Sequence, residues 1–249
     1  MIRIEVTGTW GSTPRETGAA MFVTASGTQG TIGGGQLEYM AIDRARQMLA
    51  RDEAQASMNI PLGPEIGQCC GGRVELSLSR SEDNHAAPDL PQVLIFGAGH
   101  VGRALARALA LLPLRPILID QRADELALAR DCETRLTPLP EAEVRAAPPG
   151  SSYVILTHDH ALDFLLGVEA LKRPDAPYVG MIGSKTKRAR FCNFARQNGA
   201  DTTALICPIG AGFSHDKRPE IIAAFTAAEL IAALTKTPIS SLSKYPCDS

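Results

Sequence analysis

Gln92-Val93-Leu94-Ile95-Phe96-Gly97-Ala98-Gly99-His100-Val101-Gly102-Arg103 is the stretch that decides the fold of this chain. Its first five residues are mostly apolar and read as a buried strand. Gly97, Gly99 and Gly102 follow with G-x-G-x-x-G spacing, and Val101 to Leu112 is an Ala- and Leu-rich stretch that suits a helix packed on a sheet. Each glycine has its own task in such a turn. The first permits the tight bend, the second lets a phosphate approach the backbone, and the third lets helix and strand pack closely. The helix start then offers N–H groups and the positive end of a dipole to an anion. A second apolar strand, Pro116-Ile117-Leu118-Ile119, ends in Asp120. That acid stands about 20 residues beyond the turn, near the spacing of a ribose-binding carboxylate. The pattern predicts a nucleotide-binding type of βαβ unit. A Rossmann-like fold whose pocket takes something else is the alternative, because fold does not fix function.

Outward from this stretch the alternation continues. A helix is predicted over Asp124–Arg130, and strands over Thr134–Leu136, Tyr153–Leu156, Pro177–Ile182 and Ala204–Cys207. Helices are predicted over Ala161–Leu171, from the Ser184-Lys185-Thr186-Lys187-Arg188 run to Gln197, and over Pro219–Leu234. Pro138 to Gly150 holds too much proline for a long helix. Such alternation argues for a mostly parallel sheet with helices on both faces. Ligands of these sheets sit beyond the carboxyl ends of the strands. The glycine turn, Asp120, His158-Asp159-His160 and Ser184-Lys185 all fall at those ends.

Upstream the pattern differs. Ile2–Thr7 alternates as a half-buried strand, Gly8–Gly18 is rich in turn residues, and Ala20–Thr24 is a second strand. Gly33-Gly34-Gly35 precedes a helix from Gln36 to about Ala50. Three glycines there leave N–H groups open to an anion, or simply make a tight strand-to-helix corner. Met58–Leu62 and Arg73–Leu78 read as strands on either side of Gly67-Gln68-Cys69-Cys70-Gly71-Gly72. Ser81 to Pro91 is polar and proline-bearing, as a linker is. The fold class is therefore α/β: a small N-terminal α+β domain over residues 1–80, a linker over 81–91, and a Rossmann-like domain over 92–249.

Composition limits the function. The 249 residues carry a formal net charge of −2, with 45% hydrophobic and 21% charged residues. This is a globular composition with no basic excess for nucleic acid. No apolar run approaches a membrane span. The six cysteines make no C-x-x-C pair or regular framework, which points to free thiols and a reducing cytoplasm.

Cys69 and Cys70 are the most reactive-looking groups. Adjacent cysteines close a disulfide only through a strained ring, so they stand as thiols able to bind a soft metal or carry sulfur. They also fit a tight turn of small residues. His158 and His160 would point the same way on an extended backbone, as part of a metal site or for acid–base or phosphate contact. His100 sits inside the glycine loop, and Ser184-Lys185 opens a helix with cations and hydroxyls suited to an anion. His85 belongs to the polar linker. Nothing resembles a Ser-His-Asp set, a P-loop or a zinc-finger spacing, and no residue takes a catalytic role.

Seven motifs in one order give the chain a resemblance to the xanthine dehydrogenase accessory protein family, XdhC/CoxI. They are Gly11-Ser12-x-Pro14-Arg15-Glu16-x-Gly18, Gly30-Thr31-Ile32-Gly33-Gly34-Gly35-x-Leu37-Glu38 and Gly67-Gln68-Cys69-Cys70-Gly71-Gly72 in the first half. The second half has Phe96-Gly97-Ala98-Gly99-His100-Val101-Gly102, Thr157-His158-Asp159-His160-Ala161-Leu162-Asp163, Ile182-Gly183-Ser184-Lys185-Thr186-Lys187-Arg188 and Cys207-Pro208-Ile209-Gly210. The resemblance implies a chaperone that holds molybdopterin cofactor while a cysteine desulfurase supplies its terminal sulfur. The cargo then passes to apo-xanthine dehydrogenase or a related molybdenum hydroxylase, in the cytoplasm. A homodimer is allowed for. Expected cofactor contacts are Gly97, Gly99, His100, Gly102, Asp120, His158, Asp159, His160, Ser184, Lys185, Gly33, Gly34, Gly35 and Gln68. Cys69 and Cys70 are expected at the molybdenum, across a cleft from the phosphate end. An NAD(P)-dependent oxidoreductase using the glycine turn is the rival reading. Two departures stand out: the first strand begins almost at Met1, where the family usually has a helix, and Phe213-Ser214-His215-Asp216-Lys217-Arg218-Pro219 replaces the usual Gly-Ile and Lys-x-Pro segment.

Overall fold

The computed structural model describes residues 1–64, 71–81, 90–130, 132–212, 214 and 216–235. The chain divides into two compact units, Met1–Ala86 and Ala87–Ser249.

The first unit runs β1 (Ile2–Trp10), β2 (Ala20–Val23), β3 (Thr28–Gly30), α1 (Gly35–Arg51), β4 (Gln55–Pro61) and β5 (Arg73–Arg80). The strands form an antiparallel sheet in the order β3-β2-β1-β5-β4. Alternation sets its faces. Ile2, Ile4 and Val6 of β1 and Val74, Leu76 and Leu78 of β5 are buried. Helix α1 covers them with Leu37, Ala41, Ala45 and Met48, spaced to fall on one helical face. β1 is longer than its alternating residues predict. A register shift between Val6 and Gly8 lets it keep pairing with β5 as far as Trp10 opposite Arg73. β3 had no signal in the sequence: it is short, exposed throughout, and held only as an edge against β2.

The second unit runs β6 (Gln92–Phe96), α2 (His100–Ala110), β7 (Arg115–Asp120), α3 (Ala123–Ala127), β8 (Glu133–Leu136) and α4 (Pro140–Ala146). It continues through β9 (Ser152–Ile155), α5 (His160–Leu171), β10 (Val179–Met181), α6 (Lys185–Gln197), β11 (Leu205–Ile206) and α7 (Pro219–Thr235). All six strands are parallel, in the order β11-β10-β9-β6-β7-β8. Val93 and Ile95 face one core with α2 and α7, while Leu94 and Phe96 face another with α5 and α6. Burial on both faces is why these strands read as continuous apolar runs. α3 stops short of the expected Arg130. Only its Leu126 is buried, so no second turn is anchored. From β8 the chain returns past β6 to lay β9 on the other side, and the order reverses between β6 and β9. That switch point is where an open α/β sheet leaves a crevice. Among the described residues no helix is long and apolar enough to cross a membrane.

Candidate functional site

The glycine turn lies at the switch point. Gly97 has φ +118°, and a Cβ there would fall 2.4 Å from the carbonyl oxygen of Leu156 at the end of β9. A Cβ on Gly102 would fall 1.9 Å from the Gly97 carbonyl oxygen. Gly99 is different: a Cβ there would meet no atom within 4 Å. Two of the glycines therefore make the fold, and the middle one keeps a space. The first helical hydrogen bond of α2 runs from Arg103 N–H to the Gly99 carbonyl at 3.0 Å. The N–H groups of His100, Val101 and Gly102 precede it and have no partner within the helix. No acid occupies the first turn, and His100 is exposed there.

Asp120 ends β7 as expected, yet its carboxylate is fully engaged by the chain. Oδ2 accepts Ala98 N–H at 2.7 Å and Arg122 Nη2–H at 3.0 Å. Oδ1 accepts Arg122 N–H at 3.0 Å and Arg122 Nε–H at 3.1 Å. A carboxylate offers about four acceptor positions, and all are taken. Burial opposes the charge, but the Arg122 guanidinium and the two backbone N–H groups outweigh it and hold the carboxyl below its ordinary range. Arg103 braces the same turn, donating to the Ala98 carbonyl and to Glu125 at 2.5 Å. The carboxylate expected at a cofactor thus serves, through these protein donors, to position the turn.

The histidines lie between β9, which ends at Ile155, and α5, which begins at His160, and Asp159 between them keeps extended backbone angles. His158 borders a small cavity of about 10 Å³ beside Gly97 and Asp120. His160 borders a separate cavity of about 620 Å³. Asp159 between them is the N-cap of α5, accepting Ala161 N–H at 2.8 Å. Among the described residues no group of three or more His, Cys, Asp or Glu is placed to hold a metal.

The larger cavity opens between α5 and α6. Ser184 caps α6, its hydroxyl accepting Lys187 N–H at 3.2 Å, and it lines the cavity. Lys185 is exposed and is not among the lining residues; Lys187 and Arg190 are. Helical rotation separates these cations although they are neighbours in sequence. Lys187 pairs with Asp163, which is completely buried and also accepts the Thr157 N–H at 2.9 Å and lies 2.7 Å from its hydroxyl. Arg188 turns away to donate to the carbonyls of Leu205 and Cys207. Lys187 belongs to the Ser184–Arg188 run whose cations suit an anion, whereas Asp163, Phe164 and Arg190 carry no local signal that marks them for this cavity.

In the first unit the glycine corner proves to be filled. One carboxylate oxygen of Glu38 accepts the N–H groups of Ile32 (2.9 Å), Gly33 (3.2 Å) and Gly34 (2.9 Å). It also accepts the Thr31 hydroxyl. The anion on the Gly33 and Gly34 N–H groups is therefore the chain's own, which fits the tight strand-to-helix corner rather than an open anion site at these two glycines. Gly33 also packs on Pro14, where a Cβ would stand 2.4 Å from Cγ, and Gly72 on Ser12, 2.2 Å from its carbonyl oxygen. Parts of three glycine motifs thus pack together within this unit. Gln68, Cys69, Cys70, the linker with His85, Phe213, His215 and Cys247 lie outside the described residues.

These features define a class: a Rossmann-type domain with a glycine turn at the switch point of its parallel sheet, preceded in the chain by an α+β unit. Residues 93–230 match the XdhC Rossmann domain, and residues 2–59 match the XdhC and CoxI family. The chain belongs to this family, that of the xanthine dehydrogenase accessory proteins. It is similar to the uncharacterized protein YqeB of Escherichia coli strain K12, at 28% identity over 258 residues covering 92% of this chain. The chain spans 42% of that relative's length. A solved structure from Bacillus halodurans, described as a xanthine dehydrogenase, shares the fold, with a TM-score of 0.77 and 17% identity. That match covers 96% of this chain and 93% of the other.

Proposed function

We propose that this chain is a molybdenum-cofactor chaperone. It holds molybdopterin cofactor while a cysteine desulfurase sulfurates it, then delivers it in the cytoplasm to apo-xanthine dehydrogenase or a related molybdenum hydroxylase. The observation that carries the reading is the space at Gly99, bordered by free N–H groups of α2 and no acid. That arrangement fits the phosphate of a pterin cofactor, which needs close backbone approach and positive partial charge. Family membership supplies the kind of cargo. On this reading Cys69 and Cys70 offer thiolates to the molybdenum or its incoming sulfur, since soft ligands suit both. The rival NAD(P) reading is weakened by Asp120, whose acceptor positions are all occupied by protein donors.

The test is to purify the full chain from cells that make molybdenum cofactor and from cells that do not, and to assay bound pterin and molybdenum. Cargo present only in the first preparation, and able to activate the apo-hydroxylase, supports the reading. A cargo-free chain from cofactor-making cells overturns it.

A further inference from the structure

The cavity between α5 and α6 has a chemistry that the glycine turn does not share. None of its lining residues belongs to Gly97–Gly102, and among the described lining residues none is a carboxylate. Two cations reach it, Lys187 and Arg190. Lys187 is spoken for by the buried Asp163, so its pair is close to neutral. Arg190 is exposed on the cavity wall and no residue described here neutralises it. A planar guanidinium in that position suits bidentate binding of a phosphate or carboxylate. The opposite requirement, a surface for something flat, is also met. Phe164 lines the cavity, and its ring is held edge-on by Phe191 at 5.4 Å and tilted against Phe194 at 5.5 Å. An aromatic wall fixed from behind is a stacking surface with little left to order. The volume of about 620 Å³ falls within the range of small-ligand sites, about 300–1,000 Å³.

We propose that this cavity is a binding site for a phosphorylated flat heterocycle. Arg190 takes the phosphate, Lys187 adds a hydrogen bond from its place beside Asp163, and the ring lies against Phe164. The occupant is a free nucleoside monophosphate, a ligand distinct from the cofactor whose phosphate is assigned to Gly99. The proposal rests on the cavity alone, so it stands or falls separately from that assignment.

The experiment titrates the full-length chain with guanosine 5′-monophosphate, guanosine and inorganic phosphate by calorimetry. The nucleotide binds, and guanosine and inorganic phosphate each bind at least tenfold more weakly. Arg190→Ala weakens nucleotide binding at least tenfold, and Arg190→Lys restores part of the loss. Ala161→Trp, which fills the cavity without changing a charge, abolishes binding. Lys187→Met would leave Asp163 buried and unpaired, so Lys187 is tested in the Asp163→Asn/Lys187→Met double variant, which also binds more weakly. Gly99→Val leaves this binding unchanged. Failure of guanosine 5′-monophosphate to bind at millimolar concentration overturns the proposal. So does binding that survives Arg190→Ala and Ala161→Trp, or that is lost in Gly99→Val.

Discussion

The Ala98 N–H donates to the Asp120 carboxylate at 2.7 Å across a separation of 22 residues. With Arg122 clamped on the same carboxylate, the acid best placed to read a ribose instead holds the glycine turn in shape. The contact links the loop that would meet a phosphate to the strand beside it, so ligand geometry and fold stability share one residue.

Asp120→Asn is expected to destabilise the second unit by about 2 kcal/mol at pH 7, the scale of hydrogen bonds to a charged group. The folded carboxyl lies below its unfolded value of about 3.9. Its stabilising contribution is therefore complete above that value and lost as pH falls through the lower folded one. Urea unfolding at pH 7 and in acid reads both. Equal stability of parent and variant at neutral pH, or a gap that widens in acid, contradicts the assignment.

Gly99→Val and Gly102→Val should behave oppositely. The first adds a side chain where nothing stands within 4 Å, so melting shifts little while phosphate-bearing cargo is lost. The second drives a Cβ into the Gly97 carbonyl and costs the fold. Circular dichroism and cargo assay separate them. A folded Gly99→Val variant with unchanged cargo would sink the phosphate assignment.

Glu38→Ala should expose the N–H groups of Ile32, Gly33 and Gly34, at a cost of about 1–2 kcal/mol, comparable to a lost helix cap. Burial works against the Glu38 charge, but the Thr31 hydroxyl and these N–H groups hold its carboxyl below the usual range. The benefit is thus present at neutral pH and fades as acid protonates the folded carboxyl. Hydrogen exchange at the three amides is the readout, with exchange at least tenfold faster in the variant. If added phosphate shifts those amides in the parent, the corner is open to external anions after all.

NADH is expected neither to bind tightly nor to be consumed. Fluorescence titration and a turnover assay check this. Steady oxidation of NADH with a hydroxy or keto compound near the median enzyme rate, about 10 per second, would restore the oxidoreductase reading.

For the adjacent thiols, Cys69→Ala or Cys70→Ala is expected to lower retained molybdenum and activation of the apo-hydroxylase without unfolding the protein. Parent-like behaviour of both variants and of the double variant would make the thiols structural.

Much of the fold could be read directly because its signals are local. Val93, Leu94, Ile95 and Phe96 are consecutive and apolar, and the two-sided burial they imply is what the parallel sheet provides. The carboxyl ends of the strands were identifiable as the ligand side for the same reason. β3 escaped because three exposed residues carry no periodic pattern. The reach of β1 to Trp10 escaped because a bulge breaks its alternation.

By itself the sequence determined the order of strands and helices, the glycine turn and the family, since each is written in neighbouring residues or in fixed spacings. Only the tertiary structure decided what each charge faces. Glu38 and Asp120 look like groups or neighbours of groups awaiting a ligand, yet their partners are N–H groups and guanidinium from the protein itself. Lys187 and Arg190, not Lys185, face the cavity because α6 rotates them there, and Asp163 reaches Lys187 from a different helix, 24 residues away. A carboxylate or cation takes whichever opposite group the packing brings within hydrogen-bond distance, and that choice is made by long-range contacts that no local pattern contains.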